Sequence, residues 1–257
     1  MSAALVRSST SRGCATLELA RPERGNSLSP ALVAALTNDA ARSFADPSVH
    51  TVLLRGAGKH FCTGFDLDGL AEQSDGDLLY RFVQIELLLS SIWHAPVRTA
   101  AIGSGRVWGA GADLFAACSV RLALPETRFR FPGAQFAIVL GTRRLAERIG
   151  AERARRWVTE SAEIDAAAAL EAGLVTAIVP ADELDAWISE NLQEPAVDRT
   201  TVQALHAATR LDLRDRDLAD LVRSAAAPGL HERISAYAVR ARNAAPDDAI
   251  LPAGQYR

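Results

Sequence analysis

Strand and helix patterns alternate along this chain from residue 14 to about residue 180, and that alternation limits the fold more than any other feature. Cys14–Leu19, Thr51–Arg55, Thr99–Ile102, Val120–Leu124 and Leu174–Val179 are short apolar runs bounded by Gly, Ser, Thr or Arg, as strands are. Between them, Pro30–Phe44, Leu78–Trp93 and Gly109–Ala117 carry apolar residues at helical spacing. Ser29 caps the first of these helices and Pro30 takes its first position. Ala4–Val6 and Cys14–Leu19 predict an opening hairpin. Beyond Gly141 the pattern is mainly helical, at Leu145–Ile149, Arg153–Thr159, Ala166–Ala172, from Asp182, and at 200–210, 216–226 and 230–243. The reading is an α/β core over residues 1–195 followed by a helical C-terminal region over 196–257, joined near Gln193-Glu194-Pro195. No internal repeat is present.

Two glycine-containing segments follow predicted strands. One is His60-Phe61-Cys62-Thr63-Gly64-Phe65-Asp66-Leu67. The other runs from Gly103 through Gly105, Gly109 and Gly111 to Asp113 and opens a helix. Glycine lets a backbone turn sharply and approach a ligand closely. The start of a helix leaves unpaired N–H groups at its positive dipole end, and two N–H groups aimed at one point bind a developing oxyanion. Each segment taken alone equally fits a plain tight turn. Gly103, Gly105 and Gly109 are spaced GxGxxxG, which fails the dinucleotide fingerprint, and neither a phosphate loop nor a GxSxG serine is present.

Charge and composition exclude further classes. A net charge of −3 argues against a general nucleic-acid binder, and no apolar run reaches the length of a membrane span. Residues 1–12 lack the pattern of a signal peptide, so a cytoplasmic location is expected. Of the 28 basic residues only Lys59 is a lysine, so an anionic partner would be held by arginines or backbone N–H groups. Cys14, Cys62 and Cys118 form no CxxC pair and the five histidines are scattered, so no metal site is expected.

With their flanks, these segments resemble the crotonase superfamily, the enoyl-CoA hydratase/isomerase family. Leu19 to Leu28 resembles its "NRPxxxNAL" opening, Val52 to Gly58 with His60 to Leu67 resembles "vvltGxGxxFsaGaDl", and Ala100 to Ala123 resembles "AAvnGxaxGgGxxlalacDxrla". Later matches are Thr142-Arg143-Arg144-Leu145, Ile149-Gly150, Ile164-Asp165-Ala166, Gly173-Leu174-Val175 and Val179-Pro180, so that the resemblance spans about residues 15–185 in order. It implies a spiral of ββα units with a helical C-terminal region. It also implies coenzyme A thioesters as substrates without a permanently bound cofactor, and assembly as a homotrimer or homohexamer. In such proteins two backbone N–H groups hold the thioester carbonyl; the matching positions are Phe65 and Ala110. Arg24 matches a phosphate-binding position, and the backbone of Cys62, Asp66 and Leu67 matches the adenine site. Ile234–Arg240 resembles the helix placed near a neighbouring subunit's coenzyme site.

The departures concern proton transfer. Hydratases of the family use two glutamates, and the matching positions are Asp113 and Gly133. Glycine cannot carry a proton, so Asp113 is the single acid/base candidate, with His60 and Asp68 next. The loop at Gly141–Thr142 is about three residues shorter than the family's, and Ser119 stands where the family has an aspartate. Trp93 and Trp108 fit either an acyl pocket or the core. The expected activity is a hydratase- or isomerase-type reaction through a thioester enolate. Decarboxylation or C–C hydrolysis on the same scaffold, and a non-catalytic acyl-CoA-binding subunit, stand as alternatives.

Overall fold

The computed structural model describes residues 4–244. Residues 1–3, which begin the expected core, and 245–257, which end the expected helical region, lie outside the described residues. In chain order the elements are β1 (Val6–Ser11), β2 (Cys14–Leu19), α1 (Pro30–Ala45), β3 (Thr51–Gly56), α2 (Asp75–Trp93), β4 (Arg98–Gly103), β5 (Arg106–Trp108), α3 (Ala110–Ala117), β6 (Val120–Ala123) and β7 (Arg128–Arg130). There follow α4 (Thr142–Ile149), α5 (Ala151–Glu160), β8 (Ile164–Asp165), α6 (Ala166–Glu171), β9 (Ala177–Ile178), α7 (Leu184–Asn191), α8 (Arg199–Thr209), α9 (Arg214–Ala225) and α10 (Leu230–Ala244).

Six strands form one sheet in the order β1-β2-β3-β4-β6-β9, and β5-β7-β8 form a second. Only the β1–β2 hairpin is antiparallel in the larger sheet; β2 through β9 pair in parallel. Successive turns of the chain place one strand in each sheet, β4 then β5 and β6 then β7. Cys62, bridged in parallel to Val107, plays the second-sheet part after β3. This is the expected α/β spiral of ββα units with helices behind it. Parallel pairing buries both faces of a strand, and Thr51–Leu54 and Thr99–Gly103 are buried without interruption.

Local chemistry sets the helix starts. The Ser29 hydroxyl accepts from the Leu32 N–H at 3.2 Å, and Ser74 with Asp77 makes a reciprocal capping box that starts α2 three residues before the expected Leu78. The hairpin differs from expectation. Its first strand runs over Val6–Ser11 instead of Ala4–Val6, because it is an edge strand whose polar residues after Val6 are exposed on both faces and carry no apolar alternation. The strand expected over Leu174–Val179 shrinks to Ala177–Ile178. β5, β7 and β8 lie outside the expected strands, being at most three residues long. Among the described residues no helix is long and apolar enough to cross a membrane.

Candidate functional site

The loop after β3 is held from below by Asn26, which is fully buried. Its Nδ2 donates to Ala57 O at 2.9 Å and His60 O at 2.7 Å, while its Oδ1 accepts from the Arg21 N–H at 2.9 Å. Leu28 N then donates to Gly64 O at 2.7 Å and Asp66 N to Leu28 O at 3.4 Å. These bonds skip Phe65, whose N–H has no partner among the described residues. Gly64 sits at φ +97°, and a Cβ there would lie 2.7 Å from Trp108 O and 3.3 Å from Ala110 N. Only glycine allows this turn to lie against the second one.

That second turn contains Gly109 at φ +53°, whose N–H donates to Arg130 O at 2.8 Å. Ala110, the first residue of α3, offers its N–H to no acceptor among the described residues, as the first turn of a helix leaves its donors. The two unpaired N–H groups therefore belong to abutting turns, at the positive end of one helix.

Asp113 lies one turn further along α3. Its side chain is buried, makes no hydrogen bond among the described residues, and sits against the Cα of Gly141 at the start of α4. Burial pushes its carboxyl well above the ordinary range; Arg144 opposes that rise and Glu86 adds to it. Arg144 and Glu86, each 2% exposed at the side chain, form a two-pronged ion pair, and Arg144 also reaches Asp217 at 3.4 Å. A raised carboxyl favours the neutral, proton-donating form.

Phe65, Ala110 and Asp113 line one cavity of about 360 Å³. It brings together Arg24, Phe65, Asp66, Leu67, Asp68, Trp108, Ala110, Asp113 and Gly133. Arg24 stands at the rim, 42% exposed and paired with Asp68 at 3.2 Å. The Asp66 carboxylate is already engaged by Arg21 at 2.7 Å, and its backbone N–H and carbonyl are both bonded, to Leu28 and Arg81. Leu67 keeps its backbone N–H and carbonyl unpaired among the described residues.

Three candidates fall elsewhere. Cys62 is fully buried behind the cavity, with its N–H and carbonyl spent on Arg106 and Trp108 and its thiol pushed up to about 12 by burial. His60 is buried and accepts from the Arg106 N–H at 3.0 Å. Trp93 is core, with the guanidinium groups of Arg148 and Arg210 over its ring at 4.5 and 4.9 Å.

The far wall was not read from the sequence. It consists of Phe82 on α2, Phe136, Ile138 and Leu140 before α4, and Ile234 and Tyr237 on α10. Apolar residues at helical spacing give no sign of which line a cavity. Within the chain, α10 lines this cavity through Ile234 and Tyr237. Among the described residues no group of three His, Cys, Asp or Glu is placed to hold a metal.

Comparison with known proteins agrees with this architecture. The sequence profile described as enoyl-CoA hydratase/isomerase matches residues 9–229. The Mycobacterium bovis protein named "Probable enoyl-CoA hydratase echA6" is 32% identical over 178 residues, covering 68% of this chain and 71% of that protein. A crystal structure from Bordetella parapertussis, titled as an enoyl-CoA hydratase/isomerase by assignment, is 38% identical with a TM-score of 0.89, covering 91% of this chain and 98% of the other. An enoyl-CoA hydratase from Mycobacterium avium is 28% identical with a TM-score of 0.78, over 92% and 96% of the two chains.

Proposed function

This chain belongs to the enoyl-CoA hydratase/isomerase family, and from that premise we propose that it binds an acyl-CoA thioester and stabilises its enolate. The observation that carries this reading is the pair of unpartnered N–H groups of Phe65 and Ala110 beside the raised carboxyl of Asp113. The thioester carbonyl oxygen accepts from both N–H groups. As negative charge moves onto that oxygen, fixed donors in a site shielded from water stabilise it without reorganising; losing one such donor costs about 10²–10³-fold in rate. The enolate then takes a proton at Cα from Asp113. In hydration, the water oxygen bonds to Cβ as the Cα=Cβ electron pair moves onto the carbonyl oxygen and forms that enolate; Asp113 gives its proton to Cα and takes the proton the water releases, so one carboxyl serves both half-steps. In isomerisation, the carboxylate form of Asp113 removes a proton from one carbon, which forms the enolate, and returns it at another.

The remaining assignments follow the same reading. Arg24 releases Asp68 to meet a coenzyme phosphate, the free backbone edge of Leu67 meets the adenine, and no permanently bound cofactor takes part. We also propose that the protein assembles as a homotrimer or homohexamer. Gly133 on the cavity wall favours a second reading, an acyl-CoA-binding subunit without chemistry.

Calorimetry with acetyl-CoA and crotonyl-CoA tests the binding claim. Micromolar affinity that weakens with salt is expected, because phosphate pairing is screened. An absence of heat at about 1 mM, where even a weak site worth about −4 kcal/mol half-fills, would overturn it.

A further inference from the structure

Phe65 has a second feature besides its backbone N–H: a large side chain at a position where the family motif it matches carries a small residue. The ring stacks on Phe82, with centroids 4.4 Å apart and planes 14° apart. The Arg81 guanidinium lies over the ring at 4.0 Å. Arg81 is itself buried and fixed by Nη2 donating to Asp66 O at 2.6 Å and Nη1 to Gln73 Oε1 at 2.7 Å. A ring gripped by a stacked aromatic and an anchored cation does not swing aside cheaply, since each contact is worth about 0.5–1.5 kcal/mol.

The ring also packs against both the main core and the smaller apolar cluster formed by α2, α9 and α10. It fills the space between them. Leu70 and Leu78 of that smaller cluster are both fully buried, so the apolar packing the ring joins is closed to solvent there. The cavity in front, about 360 Å³, is near the small end of the roughly 300–1,000 Å³ seen for small-molecule pockets and must also admit part of the pantetheine arm.

We infer that the Phe65 side chain sets the depth of the acyl pocket and restricts this protein to short acyl groups. The inference rests on the acyl-CoA reading above. The carbonyl held by the Phe65 N–H stands one side-chain length from the ring, so the acyl chain meets that ring within a few carbons. The wall beyond is Phe82 and Phe136, tilted against each other at 6.4 Å. A second cavity shares Ile138, Thr142 and Val158 with the first, and a chain turning toward it would bypass Phe65, which gives the inference a specific way to fail.

The test is calorimetry of the full chain with acetyl-, butyryl-, hexanoyl- and octanoyl-CoA, comparing the unmodified protein with Phe65→Ala and Phe65→Leu. Each variant is scaled to its own acetyl-CoA affinity, and folding is verified by thermal unfolding. For the unmodified protein affinity rises from acetyl- to butyryl-CoA and then falls. Phe65→Ala continues to rise through octanoyl-CoA by about fourfold per methylene buried, and Phe65→Leu lies between them. If Phe65→Ala does not fold, the order of Phe65→Leu against the unmodified protein decides the question. Octanoyl-CoA binding to the unmodified protein more tightly than butyryl-CoA, or equal chain-length profiles in all variants, would overturn this inference alone. Failure of every acyl-CoA to bind would overturn the acyl-CoA reading and this inference with it.

Discussion

Gly141→Ala is a perturbation whose size follows from the geometry around Asp113. A Cβ on Gly141 would stand 2.5 Å from Asp113 Cγ and 2.8 Å from its Cβ, and closer still to one carboxyl oxygen. Real Cβ contacts begin at about 3.0 Å, so Asp113 Cγ must withdraw by at least 0.5 Å, the difference between 3.0 and 2.5, and its nearer carboxyl oxygen by more. Ordinary carbon contact at about 3.5–4.0 Å requires about 1 Å or more. Misplacing a reacting group by about 1 Å costs roughly 10²-fold, so kcat for crotonyl-CoA hydration should fall between about tenfold and 100-fold. The affinity for acetyl-CoA should stay within a few-fold, because the Phe65 and Ala110 N–H groups lie on other turns. Gly141 also sits at φ +65°, so alanine there costs about 1–2 kcal/mol of stability. Gly150→Ala separates the two effects: Gly150 has φ +83° with nothing within 4 Å of an added Cβ. Its ψ of 149° lies near the region that only glycine populates, so it should lose at least as much stability from backbone strain and still keep its kcat. A folded Gly141→Ala protein with undiminished kcat would refute the placement of Asp113 as the proton-transfer group.

Two further predictions concern stability. The folded-state pKa of Asp113 lies above its ordinary value of 3.8, so its contribution is full below that value and is lost as pH rises through the folded-state value. Asp113→Asn cannot ionise and should exceed the unmodified protein in stability at pH 7 by about 1.4 kcal/mol for each tenfold by which burial weakens the acid, the advantage vanishing toward pH 4. Urea unfolding at both pH values measures it, and equal stability at pH 7 would contradict the buried carboxyl. Arg144→Met leaves Glu86 charged and buried without its partner and should cost about 3–5 kcal/mol, most of which the double change with Glu86→Leu restores; a loss under about 1 kcal/mol in the single variant would show that the pair is not buried as described.

Much of this fold was legible because parallel strands buried on both faces announce themselves as unbroken apolar runs. Thr51–Leu54 and Thr99–Ile102 did so, and Ser29-Pro30 marked the start of α1. The two glycine segments were also legible, since φ values such as +97° at Gly64 leave little choice of residue. The strands β5, β7 and β8 are too short to carry a period, and exposed polar residues disguised β1. Distant contacts were beyond reach for a different reason. Gly141 touches Asp113 across 28 positions of sequence, and Phe82 and Tyr237 meet at one cavity from α2 and α10. Trp93 and Trp108 have the same composition signal, yet one is core and the other cavity wall. Their side chains differ only in which face of the fold their elements present.

The central claim, a thioester enolate held by two backbone N–H groups and served by Asp113, is tested most directly by exchange of the α-protons of butyryl-CoA in D₂O, followed by proton NMR. Such exchange requires enolate formation and reprotonation but no particular overall reaction. The unmodified protein should catalyse the exchange, and Asp113→Asn should slow it by at least ~100-fold, the scale on which a positioned acid/base contributes, with butyryl-CoA binding retained. Binding without exchange in the unmodified protein would leave a non-catalytic acyl-CoA subunit, and equal exchange in Asp113→Asn would contradict the assignment of the proton to Asp113.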